Sequence, residues 1–373
     1  MKSEDVQRPF QQPDGGPQPV DRPSPVASGA RTGGGPQPDA DSVPVVLEFL
    51  QQAPTVAVDP QSSASDDALR RRLRAGIGGA GAAVHLEALQ RLADENGGHR
   101  ASPSPGYEAS VEYVTAILRA AGYDVTTPTY PLPKRRRRPE GETRCRNVIA
   151  QTRTGDRGRA VMVGAHLDSV RKGPGINDNG SGVAALLEIA TRLGGSPPIR
   201  SAVRFAFWGS EEDDMAGSTH YVKKLSRRDR ENILLYLNVD MIASPNAGYF
   251  VMGGEGKTRA KSGPRGSAQV ACMLVEHLAS TGIVARTVPF DRESDYAAFI
   301  DAGIPSASVW SGDTGKKRRK QAWRWGGRIG EPFDPNYHTR RDRLDALDRT
   351  PLDHFTRAVA DVVVRSAVSI DPL

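Results

Sequence analysis

The run Val161-Met162-Val163-Gly164-Ala165-His166-Leu167-Asp168-Ser169 leads into Gly173-Pro174-Gly175-Ile176-Asn177-Asp178-Asn179-Gly180-Ser181-Gly182. This stretch decides how the rest of the chain is read. An apolar segment stops abruptly at ionisable residues, passes into a polar Gly-rich loop, and continues over residues 183–193 with helical spacing of apolar side chains. Strand, loop and helix in that order form the repeating unit of an α/β protein. The apolar run does not alternate with polar residues, as expected of a strand covered on both faces.

The same alternation extends outward in both directions. Helical spacing is present over residues 82–93, closed by Gly97-Gly98, and over 107–121, closed by Gly122. Strand patterns cover 123–130, 143–153, 159–165, 201–208, 233–241, 249–252, 285–290 and 306–310. Further helices are expected at 218–225, 267–281, 295–301 and 352–368. The pattern predicts an α/β fold with a mixed, mostly parallel central sheet and helices on both faces. Ligands of such sheets bind beyond the carboxyl ends of the strands, so the residues at strand exits carry the functional argument.

Residues 1–63 are rich in Pro, Gly, Ser, Gln and Asp. Such a segment buries too little apolar surface to offset its ordering entropy. It is expected to be a disordered tail, with residues 64–373 forming the folded domain. Overall 38% of residues are hydrophobic and 25% charged, a globular composition. No stretch has the apolar length of a bilayer span. No apolar segment follows the first charges, so a cytoplasmic location is the expectation. The formal charge of +6 is concentrated in Lys134-Arg135-Arg136-Arg137-Arg138 and Lys316-Lys317-Arg318-Arg319-Lys320. Both are read as solvated loops rather than nucleic-acid surfaces; no aromatic platform or recognised nucleic-acid module accompanies the first, while Trp323 and Trp325 follow the second. The two cysteines, Cys145 and Cys272, are too few for a disulfide scaffold or a metal knuckle.

Ionisable residues gather at the strand exits. His166 and Asp168 follow one strand, Glu211 and Glu212 another, and Asp240 a third; Asp178 lies in the Gly-rich loop, and Tyr337-His338 precede the last helix. Each alone has an ordinary reading as a packed or solvated residue. Together they place imidazoles and carboxylates along one sheet edge, where the carboxylates would repel one another and raise each other's pKa. A bound cation removes that penalty, and mixed nitrogen and oxygen donors suit zinc or a similar divalent ion better than calcium or magnesium. The loop glycines match neither a P-loop nor a dinucleotide fingerprint.

The runs 161–190, 209–221 and 236–245, with the stretch from His85 to Ala101, resemble the M28 family of zinc aminopeptidases, its streptomycete members in particular. The resemblance spans the chain from about Val84 onward and implies a zinc-exopeptidase, phosphorylase/hydrolase-like fold. It implies two zinc ions per chain: His166 and Asp240 on one, Glu212 and His338 on the other, Asp178 bridging, and a cis peptide bond after Asp178. It implies that Asp168 orients His166, that Glu211 is the general base for a metal-activated water, and that Tyr337 stabilises the oxyanion. Glu211 and Asp240 become candidates to hold the substrate's free α-amine. Met241, Tyr249, Arg292, Trp310 and Gly312 become the substrate-binding residues, with large apolar first residues favoured.

Three features depart from the family pattern. Glu293 stands where the family relatives have Arg, which makes Arg292 the candidate for contacts to substrate backbone or carboxylate. Asn336 and Arg341 replace a cysteine pair. The family's calcium site is matched only in part near Asp353, and no calcium is expected. The partners implied are peptides with a free N-terminus, cleaved by a monomeric enzyme, with neither membrane nor nucleic acid involved. Other readings are a carboxypeptidase or another amide hydrolase on the same scaffold, with Arg292, Lys316 or Arg324 binding a carboxylate; a one-zinc glutaminyl cyclase, against which the full ligand set argues; and a binding protein using the basic runs.

Overall fold

In the computed structural model, which describes residues 71, 76–133 and 143–369, the strand that opened the reading lies near the middle of a large sheet. The tail expected over 1–63 and the basic run 134–138 lie outside the described residues. In chain order the strands are β1 (Asp124–Thr126), β2 (Thr129–Pro131), β3 (Arg144–Arg146), β4 (Val148–Gln151) and β5 (Asp156–His166). They continue as β6 (Ser201–Trp208), β7 (Ile233–Val239), β8 (Phe250–Met252), β9 (Arg286–Val288) and β10 (Ser306–Trp310). The main sheet has the order β1-β4-β6-β5-β7-β10-β8-β9, and β2 pairs with β3 as a separate ribbon. The four central strands β6, β5, β7 and β10 are mutually parallel. β4 joins β6 antiparallel, β1 joins β4 antiparallel, and β8 joins β10 antiparallel. The sheet is mixed, with parallel pairing at its centre, as its strand pattern implies.

The helices are α1 (Gly79–Glu95), α2 (Pro105–Ala120), α3 (Gly182–Leu193), α4 (Ala216–Lys224), α5 (Arg227–Glu231), α6 (Arg259–Ser262), α7 (Ser267–Ser280), α8 (Tyr296–Asp301), α9 (Arg319–Trp325) and α10 (Arg349–Val368). Alternate residues of each central strand enter opposite cores. Val161, Val163, Phe205, Phe207, Leu235 and Leu237 face the side covered by α1, α2, α3, α7 and α10. Met162, Ala206, Trp208 and Tyr236 face the side covered by α4 and α8. Gly164 is required within β5: a Cβ there would fall 2.6 Å from the Trp208 indole nitrogen.

Helix ends follow the capping chemistry of the sequence. Ser104 accepts the Tyr107 N–H at the start of α2, with Pro105 in the first turn, and Gly122 takes a positive φ of 88° beyond its end. Asp348 accepts the Thr350 N–H at the start of α10.

The structure corrects several sequence expectations. The runs 123–130 and 143–153 are not single strands; each splits between the main sheet and the ribbon. Pro128, which has no N–H for a ladder, stands at the first break. Asn147 stands at the second, where its side chain binds the Gly209 N–H and the Gly217 carbonyl. Helices α5 and α9 are short and polar, so they carry no apolar period to read. The basic run at 316–320 is not wholly a solvated loop. Lys317 is buried, with Nζ donating to the carbonyls of Ala247 (2.8 Å) and Gly326 (2.9 Å), and α9 begins at Arg319. Cys145 and Cys272 are both free thiols. Among the described residues no helix is long and apolar enough to cross a membrane.

Candidate metal centre

Because β5, β6 and β7 are parallel, their C-terminal ends open on one edge. β5 ends at His166, β6 is followed by Glu211 and Glu212, and β7 by Asp240. The turn 176–181 brings Asp178 to the same place, and the segment between β10 and α10 brings His338. His166 Nε2 lies 3.1 Å from Asp178 Oδ1 and 3.4 Å from Asp240 Oδ1. His338 Nε2 lies 3.0 Å from Asp178 Oδ2 and 3.1 Å from Glu212 Oε2. Two donor groups result, His166/Asp178/Asp240 and Asp178/Glu212/His338, joined by one Asp178 oxygen in each.

The surroundings fit a pair of divalent cations. Asp240 Oδ1 and Glu212 Oε1 are buried without a hydrogen-bond partner, an expensive state unless a cation answers it. Burial, with the Asp178 charge beside it, pushes Glu212 up to about 7. Burial likewise pushes Glu211 well above the usual carboxylate range; His166 opposes the shift, and Asp295, Asp240 and Glu212 add to it. The donors are imidazole nitrogen and carboxylate oxygen, the set zinc accepts.

Neighbouring groups aim these ligands. His166 Nδ1 is 3.1 Å from the Asp168 backbone carbonyl and 3.7 Å from the Asp168 carboxylate. The carbonyl is therefore the hydrogen-bond acceptor, which leaves the Nε2 lone pair facing the centre. Asp168 thus stands against His166 Nδ1 with both its carbonyl and its carboxylate, the carbonyl being nearer. The carboxylate also accepts the Glu211 N–H (3.1 Å) and the Ser102 hydroxyl (3.4 Å), so it positions the backbone of Glu211. Asp240 ends a buried chain in which Trp208 Nε1 donates to the Tyr236 hydroxyl, Tyr236 to Asn238, Asn238 Nδ2 to Ser294 Oγ, and Ser294 to Asp240 Oδ2 at 2.7 Å. That chain occupies Oδ2 and leaves Oδ1 for the centre.

The loop of Asp178 is held from two sides. Asp342 accepts the N–H groups of Asn177 (2.6 Å) and Asp178 (3.0 Å), and Asp334 accepts Asn177 Nδ2 (2.6 Å). Arg100, fully buried, donates to the carbonyls of Pro174 (3.1 Å), Gly175 (2.7 Å) and Leu167. The peptide bond between Asp178 and Asn179 is cis. Ser210, Met241 and His338 have φ of 56°, 47° and 56°. Side-chain-bearing residues rarely adopt this left-handed region, and all three are ligands or flank Glu211 or a ligand. Asp342, Asp334, Ser294 and Arg100 had no role in the sequence reading. Their partners are distant in the chain, and no local spacing marks them.

The cavity over the centre is lined by His166, Asp178, Glu211, Asp240 and His338, with Met241, Met252, Trp310, Tyr337, Ser294, Ser308, Tyr296, Asp291, Glu293 and Asp313. Of the expected pocket residues, Met241 and Trp310 are there. Tyr249 is turned away, its hydroxyl 2.7 Å from His354 Nδ1 and its ring against Trp325 and Phe355. Arg292 pairs with Asp301 at 2.5 Å outside the cavity. Gly312 is not among the lining residues, and a Cβ there would strike the Phe333 side chain. Tyr337 lines the cavity, its ring stacked on His338 at 3.8 Å.

A mixed α/β sheet with two linked imidazole–carboxylate groups at its parallel edge defines a protein of the zinc-exopeptidase-like class. Solved structures agree on the fold. An aminopeptidase from Aneurinibacillus sp. strain AM-1 superposes with a TM-score of 0.64 at 16% identity, over 82% of this chain and 97% of that one. A zinc aminopeptidase from Bacillus subtilis gives 0.63 at 16% identity, over 79% and 96%. Residues 147–363 match Peptidase family M28, and the chain belongs to that family. It is 47% identical over 244 residues to the probable lipoprotein aminopeptidase LpqL of Mycobacterium tuberculosis, covering 64% of this chain and 49% of the relative. It is 39% identical over 280 residues to leupeptin-inactivating enzyme 1 of Streptomyces exfoliatus, covering 74% and 59%. The chain thus spans about half the length of the curated relatives it matches.

Proposed function

We propose that this chain is a two-zinc aminopeptidase that removes first residues from peptides with a free N-terminus. The observation that carries the proposal is the Asp178 carboxylate shared between two complete donor groups, with Glu211 on the wall of the same cavity. His166 and Asp240 would hold one zinc and Glu212 and His338 the other, with one Asp178 oxygen offered to each. When bound, zinc supplies Lewis acidity toward the scissile carbonyl and acidifies water at the site. Glu211 removes a proton from the attacking water and returns one to the departing amine. The Tyr337 hydroxyl donates to the developing oxyanion; burial pushes its pKa up, so it remains a phenol and a donor.

The direction of attack on the peptide follows from charge. A carboxypeptidase needs a cation to hold the substrate carboxylate, yet Arg292, Lys316 and Arg324 are all absent from the cavity lining. The carboxylates there suit an ammonium group, with Glu211 and Asp240 nearest the reacting bond. Of the two relatives aligned above, one bears the name of a probable aminopeptidase and the other of a leupeptin-inactivating enzyme. Met241, Met252 and Trp310 offer an apolar wall to a long first side chain, which favours large apolar stems.

The test compares anilides of leucine and phenylalanine with their N-acetylated forms, using zinc-loaded protein. Cleavage of the free-amine forms alone is expected. Equal cleavage of both would refute an N-terminal requirement.

A further inference from the structure

The cleft holds more negative charge than its metals and chemistry require. Asp178, Glu212 and Asp240 are assigned to the two metals and Glu211 to proton transfer. Asp291, Glu293 and Asp313 line the same cavity and are left over. No Lys or Arg lines it, and Arg292, the cation adjacent to this loop, is drawn outward to Asp301.

The extra carboxylates are held in place. Asp291 Oδ1 accepts the Glu293 N–H at 3.0 Å and the Tyr296 hydroxyl. Asp313 Oδ1 accepts the Gly315 N–H at 2.8 Å. Glu293 directly precedes Ser294, whose hydroxyl binds the metal ligand Asp240. The acidic loop is therefore tied to the reacting centre. Asp291 and Glu293 are exposed and Asp313 half-buried, whereas Met241 and Met252 are buried at 4% and 5%. The cleft combines an apolar wall with an acidic mouth.

We propose that Asp291, Glu293 and Asp313 select peptides whose first residue is lysine or arginine. This deepens the aminopeptidase reading and rests on it. Lysine and arginine have an apolar stem and a charged tip, and such side chains bury the stem while keeping the head among polar groups. The stem gains the same wall as any long apolar residue. The head meets the carboxylates of Asp291, Glu293 and Asp313, in a cavity with no Lys or Arg among its lining residues. A first residue carrying a carboxylate is repelled by the same groups.

The experiment uses the full chain loaded with zinc and the anilides of lysine, norleucine and glutamate. Norleucine has the lysine stem without the charged head. Lysine is expected to exceed norleucine in kcat/KM on the order of tenfold, mostly through KM. The advantage should shrink as salt screens the partly exposed carboxylates, and glutamate should be the poorest of the three. Glu293→Gln and Asp291→Asn should each draw the lysine-to-norleucine ratio toward one; both positions are exposed, so folding is spared. A ratio near one in the unmodified protein overturns the proposal and leaves the aminopeptidase reading intact. Failure to cleave any of the three removes that reading. Calorimetric titration with free lysine and free norleucine then decides the cleft's preference: tighter lysine binding upholds it, and equal affinity overturns it.

Discussion

Glu211 is where the chemistry concentrates. Its backbone is pinned by Asp168, and burial, with carboxylates beside it, pushes its pKa up. Replacing Glu211 with Gln should lower kcat by about 10²–10⁴-fold, the span of a lost general base. Zinc content, measured on the purified variant, should stay unchanged because Glu211 is not a ligand. Another residue with a consequence is His85, buried with Nδ1 at 2.7 Å from the Tyr113 hydroxyl. Burial holds its pKa down to about 4. The unfolded chain binds this proton below about pH 6.5, while the folded protein resists it until about pH 4. Stability from this site is therefore complete above the unfolded value and is lost as pH falls toward the folded one. At pH 5 the loss is about 2 kcal/mol. His85→Gln should flatten the fall in urea midpoint between pH 7 and pH 5. An unchanged fall would show that His85 does not titrate as its burial demands.

The loops between elements decide the geometry of the centre. Parallel strands bring His166, Glu212 and Asp240 to one edge, but Asp178 and His338 arrive on long connections that need bracing. Arg100 braces one by satisfying three buried carbonyls. Arg100→Met removes every one of those donors and should cost about 3–5 kcal/mol, read from urea unfolding. Asp342 braces the same loop from the other side by holding the N–H of Asp178 itself. Asp342→Asn puts an amide against one of two N–H donors. It should weaken zinc binding by about 10–100-fold in competition with a chelator, as losses behind a ligand do. Unchanged zinc affinity would place Asp342 in the scaffold alone. Most elements that carry these residues were legible in the sequence, because strong apolar runs and glycine stops mark them: 201–208 and 306–310 are strands over those same residues. The braces were not legible. Asp342 lies 164 residues from Asp178, and no local period records such a contact.

At the scale of the molecule, the centre joins segments from most of the described chain, so metal binding and stability are linked. Asp178, Glu211, Glu212 and Asp240 repel one another without cations, and any ion that binds only the folded state stabilises it by mass action. Chelation should abolish turnover and lower the melting temperature. Zinc restored to about a hundredfold over its dissociation constant should return about 2.7 kcal/mol. A melting temperature indifferent to chelator and zinc would contradict a centre built from these ligands.

The sequence by itself determined the α/β alternation, the strand exits and the order of His166, Asp178, Glu211, Glu212, Asp240 and His338, since these follow from local periodicity and chain order. Only the tertiary structure decided which atom of Asp168 meets His166, that Arg292 and Tyr249 turn away, and that Asp291, Glu293 and Asp313 share the cleft. Those outcomes depend on side-chain direction and on packing between segments far apart in the chain. Local pattern places a residue on an element, but its distant neighbours decide which way it points.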